Sequence, residues 1–134
     1  MVDQLSTAQR SALMARIRGK NTEPERVVRR LLHAMGFRFR LHRRDLPGTP
    51  DIVLPKQRAI IFVHGCWWHG HKCSAGRLPK TRVEFWSAKI SANRDRDAKA
   101  VRALRTVGWS VLVVWECETR ELAKLRRRLQ RYLA

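Results

Sequence analysis

The stretch Ile60-Ile61-Phe62-Val63-His64-Gly65-Cys66-Trp67-Trp68-His69-Gly70-His71-Lys72-Cys73 constrains this chain more than any other. Four apolar residues read as a buried strand, and they run straight into a loop crowded with imidazole, thiol and indole. The stretch holds three of the five histidines, two of the three cysteines and two of the five tryptophans. Such a loop cannot build a core of its own. Adjacent tryptophans in extended chain point to opposite faces, so burying both is costly. The fold must therefore deliver a strand end to a place where this loop can be held. Three chemistries overlap there: metal binding by thiolate and imidazole, proton transfer by imidazole, and flat aromatic surface.

The rest of the chain supplies support and charge. Its 134 residues suffice for one domain with a real core. Lys and Arg number 29 against 11 Asp and Glu, a net charge of +18 with histidine neutral. So large a charge on so short a chain points to a polyanion, with nucleic acid first. A membrane partner is disfavoured, because no apolar run reaches spanning length and no basic helix carries a broad aromatic face. The first twenty residues lack the apolar region of a signal peptide, so a cytoplasmic location is expected. Three cysteines cannot all pair within one chain, which favours metal ligation or thiols over a disulfide.

Taken in order, the chain predicts α-α-β-β-β-α-β-α. Residues 1–20 form a basic helix or arm, capped at Ser6 or Thr7 and stopped by Gly19, with only a thin apolar stripe at Leu13, Met14 and Ile17. The remainder, 21–134, forms the main domain. Thr22-Glu23-Pro24-Glu25 is a capping-box pattern for a helix to about Met35, which gives Glu25 a structural role. Phe37–His42 alternates as a half-buried strand, and Pro47-Gly48 punctuates the loop that follows. Asp51–Leu54 and Ala59–His64 make a hairpin turning near Gln57, with Asp51 facing a position between Phe62 and His64. Thr81-Arg82-Val83-Glu84 opens a long helix to about Thr106, with a break near Ser91–Asn93. Trp109–Trp115 is a buried strand parallel to the third, and both its tryptophans are expected in the core. A closing helix over Thr119–Leu133 turns Leu122, Leu125, Leu129 and Leu133 inward. The predicted class is α/β, a mixed sheet with helices on both faces.

Cys66, His71 and Cys73 are close enough in sequence to clasp one ion. Cys117 follows the parallel strand beside the one leading to Cys66, so neighbouring strand ends bring it to the same place. Cys3His is a closed tetrahedral set suited to structural Zn2+. The other reading is thiols without metal. Asp51, at a strand end after a Pro-Gly loop, suits Mg2+ alongside a backbone carbonyl and phosphate oxygens. His64 and His69, left over from zinc binding, are available for proton transfer. Asp97 either orients one imidazole or pairs with Arg94 or Arg96 on its own helix. Trp67, Trp68 and Trp86 suit stacking or wedging between base pairs, and Met14 is a second candidate wedge; packing is the alternative for Trp86 and Met14. A metal carboxylate and imidazoles beside a basic surface argue for phosphodiester hydrolysis. A zinc-stapled DNA-binding module without catalysis is the alternative from another class.

The segments Leu46-Pro47-Gly48-Thr49-Pro50-Asp51, Phe62 through His69, Thr81 through Trp86, Arg94-Asp95-Arg96-Asp97 and Gly108 through Cys117 together resemble the very-short-patch-repair (Vsr) endonuclease family. The resemblance implies a restriction-endonuclease-like fold and a Mg2+-dependent nickase that cuts 5′ to the T of a T:G mismatch left by deamination of 5-methylcytosine. By the same resemblance Asp51 and the main-chain carbonyl of Val63 hold Mg2+. His69 is the general base oriented by Asp97, and His64 and Glu25 support the phosphate and metal waters. Cys66, His71, Cys73 and Cys117 match the zinc ligands. Trp67, Trp68 and Trp86 match a major-groove wedge, and Met14 a minor-groove insertion. The implied partner is double-stranded DNA bound by a monomer, with functional links to a cytosine-5 DNA methyltransferase and mismatch-repair proteins. A related nicking, homing or restriction enzyme with another site specificity is the alternative among enzymes.

Overall fold

A computed structural model of the chain describes residues 22–66 and 82–133. The predicted N-terminal arm with Met14, and the loop positions Trp67, Trp68, His69, His71, Cys73 and Thr81, lie outside the described residues. What is described is a four-stranded mixed sheet with three helices.

Helix α1 spans Glu23–Ala34. Thr22 caps it, its hydroxyl oxygen accepting from the Glu25 amide at 3.4 Å, and Pro24 occupies the first turn. Strand β1 is only Arg40–Leu41, shorter than the alternation predicts. His42 turns into the left-handed region at φ 47° and ends the ladder, while Phe37 and Phe39 pack inward ahead of it. Strands β2 (Ile52–Leu54) and β3 (Ala59–His64) pair antiparallel, with Leu54 opposite Ala59 across the turn. This register sets Ile52 against Ile61, which brings Asp51 level with Phe62, within the predicted interval.

Helix α2, Val83–Thr106, runs unbroken for 24 residues. The break predicted near Ser91–Asn93 is absent; the Asn93 side chain accepts a hydrogen bond from Arg96 rather than competing for backbone. Its N-cap position is Arg82, at φ 54° and with no side-chain cap bond. Strand β4 (Ser110–Trp115) lies parallel to β3 over six residue pairs, from Ala59 opposite Ser110 to His64 opposite Trp115. A 3-10 turn, Glu116–Arg120, leads into α3, Leu122–Leu133. Leu125 and Leu129 are buried, but Leu122, the first residue of the helix, is 54% exposed, against the expectation of an inward face. Trp109 and Trp115 are only partly buried.

Period-two alternation divides the core between the two faces. Val28 and Leu32 of α1 and Leu125 and Leu129 of α3 pack on one face, against Ile52, Ile61 and Val63 among others. Ala100 and Leu104 of α2 cover the other, against Val53, Ile60 and Phe62. Order β1-β2-β3-β4 places the fully buried strands β2 and β3 in the middle of the sheet. No described helix is long and apolar enough to cross a membrane.

Candidate functional site

Asp51 is placed by the loop before it. The Thr49 amide bonds the Leu46 carbonyl at 3.1 Å, closing a turn through Pro47-Gly48. Gly48 sits at φ 75°, where a Cβ would fall 2.6 Å from the Ala100 Cβ and 3.3 Å from the Phe62 ring. Only glycine lets this loop lie on α2 and β3 together. Thr49 is itself left-handed at φ 45°, as is His42 at φ 47°. Each costs about 1–2 kcal/mol. Such strain persists only where the surroundings fix it.

The loop delivers Asp51 to the backbone of β3, where Oδ2 accepts from the Val63 amide at 2.7 Å. The Glu25 carboxylate, fully buried, comes from α1. Its Oε2 meets Arg29 Nη2 at 2.7 Å and His42 Nε2 at 3.0 Å. One ligand-capable atom from each of Glu25, His42 and Asp51 lies within 4.8 Å of the others. Burial pushes the Asp51 carboxyl well above 3.8, and the adjacent Glu25 charge pushes it further, against the pull of the Val63 amide and Arg29. Arg29 already offsets one of the two carboxylate charges. Two carboxylates and an imidazole nitrogen converging within 4.8 Å still form a donor set that fits a divalent ion.

His64, at the end of β3, is buried at 6% exposure. Its ring lies 5.6 Å from Phe62 and 5.4 Å, edge-on, from Trp115. Asp97 reaches it from α2, with Oδ2 3.8 Å from Nδ1, too long for a hydrogen bond. Of the two readings for Asp97, the structure brings it to an imidazole, His64. Its relation to His69 lies outside the described residues.

Cys66 and Cys117 follow the His64–Trp115 pair by two residues each, just past the ends of adjacent parallel strands, Cys66 in a turn and Cys117 in the 3-10 turn. Cys66 is buried, Cys117 is half-buried, and neither is in a disulfide. Parallel register thus carries both thiols past the same sheet edge, as a shared soft-metal site requires. Trp86 is half-buried; its ring meets Phe85 edge-on at 4.9 Å, with Lys89 Nζ 5.7 Å from its centre. Phe85, 47% exposed, carries the Arg82 guanidinium 4.4 Å above its ring.

The structure therefore joins Asp51 with Glu25, both predicted site residues, and His64 with Asp97. The sequence reading missed His42. Its only signal was an imidazole closing a basic-apolar alternation, and nothing there foretold the left-handed turn that aims it at Glu25.

Residues 2–75 match the family described as DNA mismatch endonuclease Vsr. The chain is 56% identical over 133 residues to the type II nicking enzyme V.XorIIP of Xanthomonas oryzae pv. oryzae, covering 99% of this chain and 98% of that one. It is 44% identical over 131 residues to the type II nicking enzyme V.NmeAIP of Neisseria meningitidis, covering 98% and 94%. To the DNA mismatch endonuclease Vsr of Escherichia coli it is 42% identical over 125 residues, covering 93% and 80%. Likeness of this extent takes in the loop that places Asp51, the helix that carries Glu25 and the strand that ends in His64. The chain belongs to the Vsr family of DNA endonucleases.

Proposed function

We propose that this endonuclease nicks one strand of DNA 5′ to the T of a T:G mismatch, on a restriction-endonuclease-like frame, with Mg2+ at Asp51. The observation that carries the reading is the meeting of Asp51 with buried Glu25, whose ligand atoms converge within reach of one ion. Relatives named as nicking enzymes, and one named as a mismatch endonuclease, support single-strand cutting at a mispair. Asp51 and the main-chain carbonyl of Val63 would hold Mg2+, with Glu25 engaging its waters. When bound, the ion supplies Lewis acidity at a phosphate oxygen.

The other steps belong to side chains. His69 accepts the proton of the attacking water, and Asp97 orients an imidazole. His64, beside Asp97, supports the phosphate. Trp67, Trp68 and Trp86 enter beside the mispair from the major groove and Met14 from the minor groove. A wobble pair unstacks at low cost, so wedging selects by deformability as well as by base edges. The net charge of +18 supplies affinity that falls with salt and carries no choice of sequence. Cys66 and Cys117, with His71 and Cys73, would hold Zn2+ and so stiffen the ring-bearing loop.

End-labelled T:G, T:A and C:G duplexes, incubated with Mg2+, test the reading. The expected product is a single nick 5′ to the mispaired T, lost in Asp51→Asn while DNA binding persists. Equal cutting of matched duplexes, or of both strands, would point instead to a restriction-type or homing-type relative. Full activity in Asp51→Asn would remove the catalytic assignment.

A further inference from the structure

His42 has no part in the reading above, yet it completes the partly buried cluster. Its Nε2 is 3.0 Å from Glu25 Oε2 and its side chain is only 17% exposed. Three different segments supply the three groups: α1 gives Glu25, the residue after β1 gives His42, and the residue before β2 gives Asp51. The His42 amide bonds the Asp51 carbonyl at 3.2 Å, so one left-handed residue engages both acids, one by backbone and one by side chain.

We infer that His42 is a nitrogen ligand in the divalent-metal centre at Asp51, that Glu25 binds that ion directly rather than through its waters, and that this donor set favours Mn2+ over the Mg2+ of the reading above. The inference rests on the reading that a divalent ion sits at Asp51. Neighbouring ligands about 2.1 Å from an ion and at right angles to it are about 3.0 Å apart. The observed separation of Nε2 and Oε2 already matches that spacing. Mg2+ strongly prefers oxygen and keeps its waters, whereas imidazole suits first-row transition ions. Arg29, 2.7 Å from the same Glu25 oxygen, offsets part of the negative charge and weakens the pull on an ion held by charge alone. An imidazole that holds an ion through Nε2 has its ring N–H at Nδ1.

The test uses the full-length protein, with Mn2+ alone as probe and no DNA. Pulsed EPR of bound Mn2+ should show nitrogen coupling from a coordinated imidazole, altered by 15N-histidine labelling. The coupling should persist in His64→Gln and vanish in His42→Gln, with circular dichroism confirming the fold of each. In His42→Gln, Mn2+ affinity should fall on the order of tenfold or more. Mg2+ affinity should change by only about threefold or less, because oxygen ligands carry that ion. Bound Mn2+ without nitrogen coupling in the wild type overturns the assignment, as does coupling that survives His42→Gln. If Mn2+ binds in an Asp51-dependent way without that coupling, only the role of His42 fails. If Mn2+ does not bind the wild type, the ion site at Asp51 fails with it.

Discussion

Gly48→Ala isolates the packing that sets Asp51 in place. Gly48 stands at φ 75°, and an alanine held there costs about 1 kcal/mol in backbone strain. The added Cβ would lie 2.6 Å from the Ala100 Cβ and 3.3 Å from the Phe62 ring, overlaps that add about 1–3 kcal/mol. Neither neighbour can swing aside. Ala100 is fixed on the 24-residue α2, and Phe62 is buried in the middle of the sheet. The expected loss in urea denaturation is therefore about 2–4 kcal/mol. Gly36→Ala is the control: φ is 84°, yet nothing lies within 4 Å of the new Cβ, so only the backbone cost of about 1 kcal/mol applies. Whatever relief Gly48→Ala finds must come from shifting the loop, three residues from Asp51, so nicking should fall as well. If Gly48→Ala costs no more than Gly36→Ala, the close approach of loop to helix is wrong.

Other perturbations reach different parts of the frame. The Tyr132 hydroxyl donates to the Ile60 carbonyl at 3.1 Å, and burial raises its pKa from 10.0. A folded pKa above the unfolded one means that its contribution is fully present below pH 10 and is lost as pH rises through the folded value. Tyr132→Phe should cost about 1 kcal/mol at neutral pH, with the gap to wild type narrowing at alkaline pH; a constant gap in denaturation midpoints would contradict this. Leu125→Ala should cost about 2–5 kcal/mol, since that side chain is 1% exposed, while Leu122→Ala at 54% exposure should cost about 0.5 kcal/mol or less. Equal losses would mean that the first turn of α3 is packed as deeply as Leu125. The proposed zinc set includes Cys117, so elemental analysis should find about one zinc per wild-type chain and a large loss in Cys117→Ala; retained metal would exclude Cys117 as a ligand.

Much of this frame was legible because its signals were local and agreed with one another. Thr22 followed by Pro24 and Glu25 marks the start of α1, and the valine-rich run after Gly108 marks β4. The parallel pairing of β3 and β4 followed from the helix between them, since such a crossover returns the chain in the same direction. Legibility failed where one backbone angle decided the outcome. His42 belongs by sequence to a strand, yet φ 47° takes it out of the ladder and into contact with Glu25. Leu122 has the spacing of an inward residue, but it stands at the exposed first position of its helix. Glu25 read equally well as a capping residue and as a site residue. Its amide does serve the cap, while its carboxylate meets Arg29 and His42.

The end of β3 explains why one short strand can serve two kinds of chemistry. Successive residues of a strand point to opposite faces. Val63 packs into the core under α1 and α3, and its amide holds Asp51 toward the acid cluster. His64, the next residue, turns toward Phe62 and Asp97 on the face covered by α2. Carboxylates thus gather toward one layer and a buried imidazole toward the other, one peptide apart. A phosphate that meets both must lie beyond the strand's C-terminal end, where the chain leaves the sheet for Cys66. The staple proposed at Cys66 and Cys117 sits at that same edge, because parallel strands end together. Loosening it should therefore disturb the placement of His64 before that of Asp51, which the Val63 amide holds independently.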